Sequence, residues 1–353
     1  MTIFNSFLAQ YWDSLISTIN QVFLERKTRI ENSELSHAHD MLSEFCTRGK
    51  MIRGNLLILT HNTYNGKNLQ SAIQLGAAIE IIHSGALIHD DIMDNDEIRR
   101  GKPSLYASYV SHGKQSGIRD FNEYGRSIAL VLGDYAFFIA KEIFARIEVD
   151  EETYRRIQLK FAETLQKVIL GQFLDYDFGK KAGMPTDEDI LEMYALKTAS
   201  YSISLPLVLG GYLAHASEKD INLLDEFGKN LGIAFQIQDD VIGLLSTEKD
   251  TGKPIGSDIR ENKKTLIRAF LEKEVKGDDK KILDALFKKS IIREEDIKKV
   301  IDMVSKYHID KKIADIIESL SKKAHERMSQ LSINSEYKTL FSKFIEYNQH
   351  RRS

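Results

Sequence analysis

Cysteine is nearly absent from this chain: Cys46 is the single one among 353 residues. That excludes an internal disulfide and a metal site built from several thiolates, and it fits a reducing compartment, with the cytoplasm as the expected location. Proline is scarce too, at Pro103, Pro185, Pro206 and Pro254, so few positions force a helix to stop. An excess of one charge is missing: 49 basic against 52 acidic residues leave a formal net charge of −3. No nucleic-acid binding is expected, and an anionic ligand must be gripped locally. Long hydrophobic runs are lacking as well. The longest, Leu205 to Ala214, contains Pro206 and a glycine pair and is about half of what a bilayer span needs. The N-terminal segment lacks a basic leader with an apolar core, since Asp13 interrupts it, so neither membrane insertion nor a cleaved leader is expected.

What is present is a helical pattern. Hydrophobic residues make up 42% of the chain, enough for a large core, and they recur at spacings of three to four rather than alternating. The expected fold is all-α, a single large helical bundle spanning residues 1–353 around a central cavity, with about a dozen helices by this pattern. The stretch from Leu69 to Met93 is apolar around nearly its whole circumference, which marks a helix buried inside a bundle. Further helices are expected over Arg119 to Arg146, Glu151 to Phe173, Asp187 to Ser200, Ser202 to His215 and Ser217 to Leu244. From Lys263 onward the chain is Lys- and Glu-rich, a pattern of solvated amphipathic helices.

Two acidic clusters interrupt the apolar helices. The first is His89-Asp90-Asp91-Ile92-Met93-Asp94, with Arg99-Arg100-Gly101-Lys102-Pro103 just after it; the second is Gln236-Ile237-Gln238-Asp239-Asp240. At helical spacing Asp90 and Asp94 share a face, about 6 Å apart, and would repel by roughly 3 kcal/mol at an effective dielectric of about 20. A divalent cation reverses that sign. Carboxylates at a helix end beside adjacent guanidinium groups suit a metal-bound diphosphate, and so sparse a set of oxygen donors suits Mg²⁺ better than Zn²⁺ or Ca²⁺.

In this order the motifs resemble those of the trans-isoprenyl diphosphate synthases, with a pattern similar to the archaeal geranylgeranyl diphosphate synthases. Leu87 to Asp94 with Arg99 to Pro103 resembles the first aspartate-rich motif, and Phe235 to Asp240 the second. Gly49-Lys50-Met51-Ile52-Arg53-Gly54, Gly133-Asp134, Gly171-Gln172 with Asp175, Lys197-Thr198, and Thr251 to Pro254 with Gly256-Ser257-Asp258 resemble the landmarks between and after them. The resemblance implies that Asp90 and Asp94 hold two Mg²⁺ ions and Asp239 a third. Arg99, Lys197 and Lys253 would neutralise the allylic diphosphate, while Lys50, Arg53, His83 and Arg100 bind isopentenyl diphosphate. Thr198 and Gln236, with Lys197, would act at the allylic carbon, and Asp91 would support the site indirectly. The implied chemistry is ionisation, condensation and elimination, and a homodimer is implied as well.

Gly243 stands where many relatives have a third aspartate, so the second cluster offers fewer ligands. Met51 and Gly54 replace an arginine and a proline of other branches. Ser111 to Gly117 reads as a lengthened exposed loop. For product length the key positions lie just before the first cluster. Relatives making fifteen carbons tend to carry aromatics four and five residues before the first aspartate; here those are Ala86 and Gly85, with Ile82 one turn deeper. An open pocket and a twenty-carbon product follow, with twenty-five or fifteen carbons as alternatives, and replacing Gly85 or Ala86 by Phe is expected to shorten it. A class I terpene cyclase would not need Lys50, Arg53 and Arg100. A His-Asp phosphohydrolase would need His61, His83 and His89 to converge on a metal, and a non-catalytic subunit would have lost the acidic clusters.

Overall fold

The computed structural model describes residues 3–245, 256–289 and 291–351. Among them are sixteen α-helices, a π-helical stretch and a two-residue by two-residue hairpin, so the all-α expectation holds with more and shorter helices than the pattern suggested. The chain forms two compact units, Met1–Phe161 with Pro206–Ile221, and Ala162–Leu205 with Asn222–Ser353.

In the first unit, α1 (Ile3–Lys27), α2 (Ser33–Thr47), α3 (Ile52–Thr63), α4 (Leu69–Asp94), α5 (Leu105–Gln115) and α6 (Phe121–Arg146) pack around α4. Asn68 caps α4 by accepting the Ser71 N–H at 3.0 Å, and the helix ends where Asn95 turns left-handed at φ 58°. Between these ends α4 is long and apolar enough to cross a membrane by length and composition, yet 72% of its most apolar window is buried within the protein. It is a core helix, as its all-round apolar pattern implies. After it come β1 (Ile98–Arg99) and β2 (Lys102–Pro103), antiparallel strands joined by Arg100 and Gly101 at φ 55° and 72°. Two positive φ values in a two-residue loop are the geometry that matches strand twist.

The segment 111–117 departs from its expected loop. Most of it is the end of α5, and Gly113 is buried against Tyr124 and Phe121 of α6. Its glycines signalled a loop, but Gly113 serves close helix packing and Gly117, at φ 71°, closes the helix.

The second unit takes the C-terminal part of α7 (Glu151–Lys180), which runs past the expected Phe173 end and carries Asp175. Asp187–Tyr194 forms α8, followed without interruption by the π-helical Ala195–Ser204 and then α9 (Leu205–Leu213), which from Pro206 onward belongs to the first unit. The break expected near Tyr201 is absent. Instead the Leu205 N–H reaches the Ser200 carbonyl five residues back, and the widened turn accommodates Pro206, which has no N–H to donate. Next comes α10 (Glu218–Leu245), then α11 (Ser257–Arg260), α12 (Leu266–Glu274), α13 (Gly277–Leu286), α14 (Glu294–Lys306), α15 (Ile309–Ser329) and α16 (Ser335–His350). Amphipathic spacing builds the later helices: Ile297, Val300 and Val304 of α14 join Tyr194, Ile237 and Leu266 in one buried core.

Candidate active site

The first unit carries the first acidic cluster and the basic residues expected beside it. Asp90 and Asp94 occupy the last two turns of α4, while Asp91, about 100° round the helix, is fully buried. Arg99 projects from β1 into this cluster. Its Nε donates to Asp91 Oδ1 at 2.6 Å, its Nη2 to Asp96 Oδ2 at 3.0 Å, and the same nitrogen lies 3.7 Å from Asp90 Oδ2. Burial opposes the charge on Arg99, but Asp91, Asp90 and Asp96 outweigh it and hold the guanidinium protonated. Burial pushes the Asp91 carboxyl up to about 7 against the pull of Arg99. Arg126 of α6 locks the helix end from outside, donating to the Ile92 carbonyl at 3.1 Å.

On the neighbouring turns lies a second group. The left-handed backbone at Arg100 turns its guanidinium back toward Gly49: a Cβ on Gly49 would stand 3.3 Å from Arg100 Nη2. Trp12 fixes that loop by donating to the Gly49 carbonyl at 3.3 Å. Met51, itself left-handed at φ 54°, starts α3, which brings Arg53 to the first turn, and Lys50 beside it is exposed. Buried Glu80 accepts the Gly54 N–H at 2.9 Å and is the main charge that favours the protonated form of Arg100, against burial and the repulsion of Arg53. His83 shares this environment; burial, then Arg53, Arg100 and Arg99, hold its imidazole well below the ordinary 6.5 and therefore neutral. With Glu80 favouring the charge on Arg100 and Arg53 repelling it, two guanidinium groups against one carboxylate leave a local positive excess suited to an anion.

The second unit carries the other group. Lys197, in the π-helical stretch, pairs with Asp175 of α7. The two segments approach so closely at Gly171 that a side chain there would meet the Lys197 backbone. Thr198 donates to Gln236 Oε1 at 2.6 Å, and Gln236 Nε2 donates to Asp240 Oδ1 at 2.9 Å. Asp240 is buried and also accepts from the Tyr194 hydroxyl; burial and Asp258 push its carboxyl well above the usual range, against hydrogen bonds from Tyr194 and Gln236. Asp239, by contrast, is 43% exposed and meets Arg351 at 2.7 Å, a guanidinium itself 6% exposed and stacked on Phe235. At Gly243 a Cβ would stand 3.3 Å from Asp258 Oδ2. Lys253 and its neighbours Thr251 to Pro254 lie outside the described residues.

Of the expected residues within the described chain, Lys50, Arg53, His83, Asp90, Asp94, Arg99 and Arg100 belong to the first unit and Lys197, Thr198, Gln236 and Asp239 to the second, while Ile82, Gly85 and Ala86 lie earlier on α4. By helical geometry Ala86 is about 40° from Asp90 and Gly85 about 140°. A Cβ on Gly85 would meet the Gly133 carbonyl at 3.0 Å and Phe137 at 3.3 Å, so this glycine lets α4 and α6 approach rather than opening a pocket. Among the described residues the histidines do not gather as a metal site. His89 Nε2 bonds the Leu130 carbonyl at 3.1 Å, and His61 Nδ1 bonds Asn62 at 3.1 Å.

Residues 36–304 match the model of the polyprenyl synthetase family. The chain belongs to that family. Over 94% of both chains it is 31% identical to geranylgeranyl diphosphate synthase of Sulfolobus acidocaldarius. It is also 30% identical to geranylfarnesyl diphosphate synthase of Aeropyrum pernix, over 85% of this chain and 89% of that one. A crystal structure of geranylgeranyl pyrophosphate synthase from Corynebacterium glutamicum, complexed with isoprenyl diphosphate and magnesium, superposes with a TM-score of 0.92 at 25% identity, covering 98% of this chain and 99% of that one. This polyprenyl synthetase is a short-chain trans-prenyl diphosphate synthase.

Glu80, Asp96, Tyr194 and Arg351 were missed in the sequence. Glu80 did leave a signal, as a lone charge inside an apolar helix. The other three gain meaning only from contacts across 3 to 112 residues of sequence.

Proposed function

We propose that this synthase condenses isopentenyl diphosphate with an allylic diphosphate to give the twenty-carbon geranylgeranyl diphosphate, the two compact units acting as one catalytic domain. The observation that carries the two-substrate reading is the pair Arg53 and Arg100, with buried Glu80 acting on Arg100 and neutral His83 beside them. Such a site offers a second diphosphate a place apart from the carboxylate cluster. Arg53, Arg100, exposed Lys50 and an N–H of His83 would bind the isopentenyl diphosphate. Arg99, Lys197 and Lys253 are assigned to the allylic diphosphate.

Asp90, Asp94 and Asp239 supply oxygen donors alone, a set that fits Mg²⁺; we assign two ions to Asp90 and Asp94 and a third to Asp239. Bound there, Mg²⁺ would stabilise the charge that develops on the departing diphosphate. The allylic carbon–oxygen bond breaks, the alkene of isopentenyl diphosphate forms the new carbon–carbon bond, and the departed diphosphate takes the proton lost on elimination. Thr198 and Gln236 present oxygen dipoles to the developing cation.

Small Ala86, on the Asp90 face, and buried Ile82 one turn deeper support the twenty-carbon length, as do the geranylgeranyl synthases among the relatives. A homodimer is supported by apolar side chains left in solvent: Val131 at 61% and Phe138 at 73% exposed on α6, and Ile169 at 67% and Phe173 at 64% on α7. The single buried Cys46 is in keeping with action in the cytoplasm.

Asp90→Asn and Asp239→Asn are each expected to lower the condensation rate a hundredfold or more, roughly what loss of one transition-state contact costs, and chelation of Mg²⁺ to abolish it. Condensation that persists with a chelator present contradicts the metal assignment.

A further inference from the structure

The hydrogen bonds around Asp240 continue beyond the acidic cluster. The Leu266 N–H, at the first turn of α12, donates to the Tyr194 hydroxyl oxygen at 3.1 Å, filling the need of a helix-terminal N–H that has no partner within its own helix. That N–H can only donate, so the Tyr194 proton is free to go to Asp240 Oδ2. Asp240 Oδ1 accepts from the Gln236 amide at 2.9 Å, which turns the amide oxygen toward Thr198 and takes up the Thr198 proton at 2.6 Å. Tyr194 is 2% and Asp240 5% exposed, so solvent does not compete for these bonds.

We infer that Tyr194 is a positioning residue for the allylic cation: through Asp240 it fixes the Gln236 amide, and through Gln236 it leaves Thr198 with oxygen lone pairs, not its proton, to offer the substrate. This rests on the proposed placement of Thr198 at the reacting carbon. It also separates the two aspartates of the second cluster. Half-exposed Asp239 is the candidate ligand, while buried Asp240 is an internal anchor whose two oxygens are both occupied by protein donors. A hydroxyl that presents lone pairs to a carbocation stabilises it, whereas one that presents its proton repels it.

The test is calorimetric, with Mg²⁺ present and two probes: an analogue of the allylic diphosphate carrying a protonated nitrogen at the reacting carbon, and its uncharged carbon isostere. The ratio of the two affinities reads the cation contact alone, because general loosening of the fold weakens both probes together. Tyr194→Phe is expected to lower that ratio about tenfold, the scale of one charge-assisted hydrogen bond, and to lower kcat more than it raises KM. Asp240→Asn, which keeps the side-chain volume, is expected to do the same and decides the matter if Tyr194→Phe does not fold. A ratio unchanged in both variants, while Thr198→Val lowers it, overturns the role of Tyr194. A ratio unchanged in Thr198→Val as well overturns the placement of Thr198, and with it the inference.

Discussion

His83 is held neutral by its surroundings, and that has a measurable cost. Its proton affinity in the folded chain lies well below the ordinary 6.5 because of burial and then Arg53, Arg100 and Arg99. Below pH 6.5 the unfolded chain takes up a proton that the folded one refuses, so this residue's contribution to stability is whole above 6.5 and lost as pH falls toward its folded value. Urea unfolding of the protein and of His83→Asn at several values between pH 5 and 8 checks this. The acid-side fall should be smaller in the variant, and equal slopes would contradict the account. At this scale much was legible from sequence. Asp90, Asp94 and Asp239 stood out as candidates because charges inside apolar helices demand partners, and Arg99 because a cation follows the first cluster so closely. Arg99 was legible as a cation but not as the side chain that ties Asp91 and Asp96 together, since that depends on the hairpin after α4.

Among elements, α4 decides the most. It is the core of the first unit and the carrier of the first acidic cluster, and the proposed function makes it the wall on which product length depends. Its limits were readable to within a residue, because the apolar run from Leu69 is closed by the first acidic cluster; the capping by Asn68 and the left-handed turn at Asn95 emerge only in the structure. The faces of α4 were less readable. Gly85 and Ala86 are equally small, and nothing local says that one of them meets α6 while the other lies on the side of Asp90. Ala86→Phe is expected to shorten the product by about one isoprene unit with modest loss of stability. Gly85→Phe should instead force α4 from α6 and destabilise the protein by about 1–3 kcal/mol or more, as overpacking does. Product chromatography and urea unfolding of both variants separate the two roles; a shortened product from Gly85→Phe at full stability would reverse them. The π-helical stretch 195–204 was not legible, because its apolar and polar residues fit an α-helix nearly as well and Pro206 mimics a helix boundary.

At the scale of the whole molecule, the proposed function assigns two acidic groups nearly 150 residues apart in sequence to one reaction, and apolar side chains stand in solvent on α6 and, separately, on α7. Phe138→Glu is expected to convert the proposed homodimer into a monomer in light-scattering chromatography; an unchanged mass would remove α6 from the proposed interface. The all-α class was plain from sparse proline and three-to-four spacing, whereas the division into two compact units, each made of separated stretches of chain, has no local signature. The central claim is that this protein elongates an allylic diphosphate with isopentenyl diphosphate. Purified protein incubated with Mg²⁺, isopentenyl diphosphate and primers of five, ten or fifteen carbons, with the dephosphorylated products separated by chromatography, tests it directly. The account predicts a linear twenty-carbon alcohol as the main product; a cyclic hydrocarbon, or phosphate release without elongation, would contradict it.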